Sequence, residues 1–146
     1  MNINYLLLSI LMLFSISCSK SDDNIDQLKG FELWESLNIN DYNMTQTISC
    51  FCFPYEFTQP KDIEVENNLI ISIDGKNPKE TIGYNSFMTI NKLFDFIESK
   101  LNDQPEFYEI EYNEEYGYPE TLYFDMSKMI ADEEIGYNIF NFKITN

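Results

Sequence analysis

Six short stretches of this chain read as strands, and one helical stripe divides them three and three. The stripe is Ile90, Leu93, Phe94, Ile97 and Leu101, at the spacing that lines one face of a helix, with Thr89 placed to cap it. Before it, residues 42–53 read as a long strand in which Tyr42, Met44, Ile48, Cys50 and Cys52 share one parity and Phe51 and Phe53 the other, with Pro54 as its stop. Ile63-Glu64-Val65-Glu66 alternates strictly, Asn67-Asn68 supplies a tight turn, and Leu69 to Ile73 returns as its hairpin partner. After the helix come Phe107 to Tyr112, then Leu122, Phe124 and Met126, then Phe140, Phe142 and Ile144. Residues 76–88, with Pro78 and Gly83, read as a loop. A second stripe, Ile25, Leu28, Phe31, Trp34 and Leu37, predicts a helix ahead of the first strand, with Asp22 or Asp23 capping it. Helix, three strands, helix, three strands predicts an α+β fold: an antiparallel sheet of about six strands with the two helices packed on one face.

The apolar run from Leu6 to Ile16 ends in Ser17-Cys18 and is followed at once by Ser19-Lys20-Ser21-Asp22-Asp23. About a dozen apolar residues match a signal h-region better than the ~20 of a membrane span. Small residues ahead of a cysteine read as a lipoprotein signal, cleaved before Cys18, whose thiol carries the lipid. The expected organisation is a signal peptide over 1–17, a tether over 18–24 and a single domain over 25–146. The expected location is the cell envelope, lipid-anchored on its periplasmic or surface-facing side.

Composition bounds the chemistry. The chain has 146 residues, 44% hydrophobic and 16% aromatic, enough to build one core. Its net charge is −16, and all 9 basic residues are lysine. Such a surface repels phosphate backbones, so nucleic acid is not an expected partner; the membrane, through the N-terminal lipid, and an envelope protein are. The chain has no His, which removes Ser-His-Asp and Cys-His arrangements and imidazole zinc sites. Without Arg there are no bidentate phosphate clamps. No cofactor and no catalytic set are expected, and the metal question stays open.

Three groups of residues have chemical potential. Cys50 and Cys52 lie ~6.6 Å apart on a regular strand, at the upper edge of disulfide reach, so a local bond needs a bend such as Pro54 provides. The alternatives are two buried thiols or a metal or redox pair. Asp132-Glu133-Glu134, with Asp125, offers hard oxygen ligands for a cation, against the plainer reading of a solvated acidic turn. Tyr116-Gly117-Tyr118-Pro119 forms a specialised loop whose tyrosines either present a recognition surface or pack on the sheet.

Several of these segments together resemble one bacterial family. They are Trp34, Tyr42, Cys50-Phe51-Cys52 with Pro54, the Asp74-Gly75 turn, the helix Thr89 to Ile97, Tyr112 to Pro119, and Asp132-Glu133-Glu134. The chain is similar over nearly all of its mature part to the family known as domain of unknown function 6174, whose members are often lipoproteins. The resemblance implies a small α+β domain and export, and it carries no known activity. Function is therefore expected to be that of a lipid-anchored, non-enzymatic binding or interaction module. The alternatives are a cation- or metal-binding envelope lipoprotein and, more remotely, a small hydrolase or redox protein.

Overall fold

The computed structural model describes residues 21–51 and 55–145, without the side chains of residues 21–28 and of Phe57. Cys18, Cys52, Pro54 and the expected signal segment lie outside the described residues. The architecture is α+β, as the alternation predicts. Helix α1 (Ser21–Leu37) precedes strands β1 (Tyr42–Cys50), β2 (Lys61–Glu66) and β3 (Leu69–Ile73); helix α2 (Ile90–Asn102) precedes β4 (Phe107–Tyr112), β5 (Pro119–Asp125) and β6 (Ile135–Ile144). Residues 21–24, expected as tether, are already helical. One six-stranded antiparallel sheet runs in the order β3-β2-β1-β6-β5-β4. Its two three-stranded meanders meet where β1 pairs with β6.

Both helices cover the same face. Trp34 of α1 and Ile90, Leu93, Phe94 and Ile97 of α2 join one core with Tyr42, Met44 and Ile48 of β1, Leu122 and Phe124 of β5, and Tyr137 and Ile139 of β6. The α2 stripe is buried where its periodicity places it, and Thr89 Oγ1 accepts from Lys92 N at 3.3 Å. Two polar residues on β1 set the start of α2. Gln46, fully buried, donates Nε2 to Met88 O and accepts from Met88 N through Oε1, both at 3.0 Å. Tyr42 Oη accepts from Ile90 N at 2.8 Å. Burial holds the Tyr42 phenol well above its ordinary range, so it stays protonated in this role.

The stripe of α1 is only partly buried. Trp34 is in the core and donates Nε1 to Asn91 Oδ1 at 2.7 Å, whereas Phe31 and Leu37 are exposed. The contact to the sheet runs instead through Gly30, which lies against the Tyr112 ring and the Gly117 carbonyl. Gly117 has φ +78°, and a Cβ there would lie 2.3 Å from Gly30 O and 3.1 Å from Trp34 N. Glycine is needed at this crossing both for the conformation and for the approach.

A second departure lies in β6. Phe140, Phe142 and Ile144 were expected to share a face. Asn141 adopts φ 53° and the β1–β6 register shifts between Asn43 and Thr45, so Phe140 pairs with Thr45 while Ile144 pairs with Tyr42. The bulge turns Phe140 to the open face and leaves Phe142 on the core. Asn141 Nδ2 donates to Thr45 Oγ1 at 3.2 Å, and Thr45 Oγ1 donates to Asp62 Oδ1 at 2.8 Å, tying three strands across the open face. The β2–β3 turn is as tight as Asn67-Asn68 suggests, with φ 49° and 59°. It is braced by Asp41 Oδ1, which accepts from Asn67 N at 2.6 Å.

Gly117→Ala is expected to destabilise the fold by about 2–4 kcal/mol, since strain at positive φ and overpacking act together. Gly75, with φ +72° and nothing within 4 Å of an added Cβ, is the control; its alanine variant should cost only ~1 kcal/mol. Equal losses in denaturant midpoint would refute the α1–Gly117 contact.

Candidate interaction groove

The residues singled out in the sequence do not converge. Gly117, Tyr118 and Pro119 are buried, with Tyr118 packed against Trp34 and Phe142, so they hold α1 to the sheet; Tyr116 is the half-exposed member. Tyr118 Oη lies 3.4 Å from Glu120 Oε1, and burial first, with that carboxylate, pushes its phenol up to about 12. Three of its four residues thus pack against α1 and the sheet. Asp125 ends β5 and accepts from Ser127 N at 3.0 Å. Asp132, at φ 68°, is exposed in the turn before β6, Glu133 and Glu134 are half-buried, and Glu133 Oε1 has no hydrogen-bond partner. Among the described residues no three Asp, Glu or Cys side chains gather in a way that could hold a metal ion. Cys50 ends β1 on the core side and has an interaction partner; the expected Cys52 partner lies outside the described residues.

A concavity that the sequence reading did not name lies at the β3 edge of the sheet. A groove of about 520 Å³ runs between β3 and the connection that leads from β3 to α2. Leu69, Ile70 and Ile71 form one wall and Tyr84 and Phe87 the other. Leu69 is 64% exposed and Ile71 41%, while Ile70 between them is half-buried against the core. Two short 3-10 turns, Pro78–Glu80 and Tyr84–Ser86, shape the far side, the first capped by Asn77 Oδ1 accepting from Lys79 N at 3.1 Å.

Charge sets this groove apart. It is lined by Lys79 and Lys92 and by no carboxylate, in a chain with 25 acidic residues. Three other clefts each carry at least one acid: Glu35 and Asp95 between the helices, Asp62 and Glu64 beside β2, and Glu134 on the open sheet face. Lys61 and Lys128 are neutralised by Asp74 and Glu106, each at 2.7 Å, whereas neither Lys79 nor Lys92 is in an ion pair among the described residues. The α2 N-terminus borders the groove, but Tyr42 and Thr89 already accept from its Ile90 and Lys92 N–H groups. The lysine ammonium groups therefore carry the positive potential. The arrangement suits an apolar ligand with negative charge at its margin.

The signal for this groove was present in the sequence. Leu69-Ile70-Ile71 breaks the alternation of a half-exposed strand, and Lys76, Lys79 and Lys92 concentrate a third of the lysines in a short span. What was missing was the knowledge that β3 is an edge strand, which no local pattern gives.

The profile of DUF6174, a family of unknown function, matches residues 27–144, from within α1 to the last residue of β6, and so takes in most of α1, all of α2, the whole sheet and the groove. No curated protein and no solved structure matches the chain. The chain belongs to the DUF6174 family of unknown function.

Proposed function

We propose that this protein is a lipid-anchored interaction module of the cell envelope, which binds a partner protein through the groove beside β3. The observation that carries the reading is the groove itself: an exposed apolar wall with two unpaired lysines and no acid, in a chain of net charge −16. Surface apolar patches of this kind mark interaction sites, and charge of one sign at the rim selects partners. The anchoring half of the proposal rests on the Leu6–Ile16 run, Cys18 and the polar residues after it. No helix among the described residues is long and apolar enough to cross a membrane. We also propose that Cys50 and Cys52 form a local disulfide, which an oxidising envelope favours.

Cys18→Ala should abolish acylation and shift the protein from the membrane to the soluble envelope fraction, because multiple acyl chains are what hold a lipoprotein firmly. Unchanged processing and fractionation would refute lipidation. After unfolding without reductant, the exported protein should take no thiol label at Cys50 or Cys52 and two labels once reduced; two labels before reduction would refute the disulfide. A photo-reactive residue at Ile71 in cells should give one defined adduct. The adduct should be absent from the same probe at Glu109, on the opposite edge strand, and should be lost with Lys79→Glu and Lys92→Glu together. Equal adducts from both edges would refute the groove.

A further inference from the structure

We infer that the groove receives an extended acidic segment of the partner protein as a seventh strand, added along the outer edge of β3; this rests on the binding role proposed above. β3 is the terminal strand of the sheet. Edges are blunted by charged residues, proline, bulges or short length; Leu69–Ile73 holds no charge and no proline. Its one irregularity is the bulge that leaves Ile71 unpaired between the Ser72–Glu64 and Ile70–Val65 pairs.

The chain itself begins the missing strand and then abandons it. Ile73 N donates to Lys76 O at 3.1 Å and Lys76 N donates to Ile73 O at 3.0 Å, an antiparallel bridge on the outer edge of β3. Pro78 then opens a 3-10 turn capped by Asn77, and the backbone leaves the edge. Beyond that bridge, Leu69 to Ser72 make no backbone hydrogen bond outside the strand ladder among the described residues. The position of a seventh strand is therefore compatible with pairing at Ile73 and open next to Leu69–Ser72.

The chemistry of the occupant follows. Main-chain groups along an edge recognise another main chain, and alternate side chains of an added strand would enter the groove. Lys79 and Lys92 favour carboxylates on that strand. A second copy of this chain is a poorer fit: its own β3 brings no carboxylate to meet the lysines, and two bodies of charge −16 repel.

The test uses the full mature lipoprotein in non-ionic detergent and two short synthetic peptides, one alternating valine and glutamate, the other valine and lysine. The glutamate peptide should slow amide hydrogen exchange within Leu69–Ser72, with the already bonded Ile73 amide as an internal reference, and leave the β4 edge unaffected. Lys79→Glu with Lys92→Glu should weaken its binding about tenfold, with a melting temperature close to the parent's showing that the fold persists. Equal binding of both peptides would overturn the inference. So would protection of β3 without peptide in a concentration-dependent dimer, or protection by anionic phospholipid vesicles instead of peptide. Glutamate-peptide shifts at Tyr84 and Phe87 without slowed exchange on β3 would reject strand addition while leaving groove binding intact. Adducts equal at Ile71 and Glu109 would reject the binding role itself.

Discussion

Tyr42–Cys50 and Ile135–Ile144 pair across the middle of the sheet, and this ladder joins the first three strands to the last three. Every other feature hangs from it. β1 carries the buried Tyr42 and Gln46 that fix where α2 begins, so the same strand that joins the two meanders also positions the helix between them. Gln46 illustrates why a buried polar residue can be retained in a core. Left unpaired, its carboxamide would cost stability; with donor and acceptor both engaged by Met88, it specifies one register for the connection entering α2. Because residues 76–88 end at that fixed point, the outer wall of the groove is positioned by the centre of the sheet.

The groove results from opposing demands on one short stretch. The Asp74-Gly75 turn reverses the chain beside β3, and Lys76 begins to pair with it. The path must then rise to α2, whose start is held by β1. Pro78 suits the departure, since it cannot donate to a ladder and fits the first position of a helical turn. The departure leaves Leu69 and Ile71 of β3 exposed, with Ile70 between them half-buried against the core. In an acidic protein, that opening is lined by two lysines and no carboxylate, a local charge opposite in sign to that of the whole chain.

Much of the fold was legible because the local signals agreed with one another. The α2 stripe, its Thr89 cap, the Asn67-Asn68 turn and the alternation of Ile63 to Glu66 each express a single residue-level preference, and tertiary structure had no reason to override them. Where the structure departs from a simple local pattern, a partner distant in sequence is involved. Phe31 and Leu37 lie on the predicted stripe of α1, yet the helix meets the sheet through Gly30, because Gly117 permits an approach there that larger residues prevent. Phe140 left the face of Phe142 because one residue at φ 53° reversed the parity of β6. The Tyr-Gly-Tyr-Pro loop is largely buried because α1 lies across it.

By itself, the sequence determined the element types, the antiparallel α+β class, the acidic surface and the absence of histidine and arginine chemistry, since these depend on composition and on contacts a few residues apart. Tertiary structure alone decided which strands lie at the edges, and with that the location of the groove. Strand order is set by which ladders close over long loops around a shared core. A strand of the same sequence is buried in the centre or open at the rim according to partners that lie far along the chain.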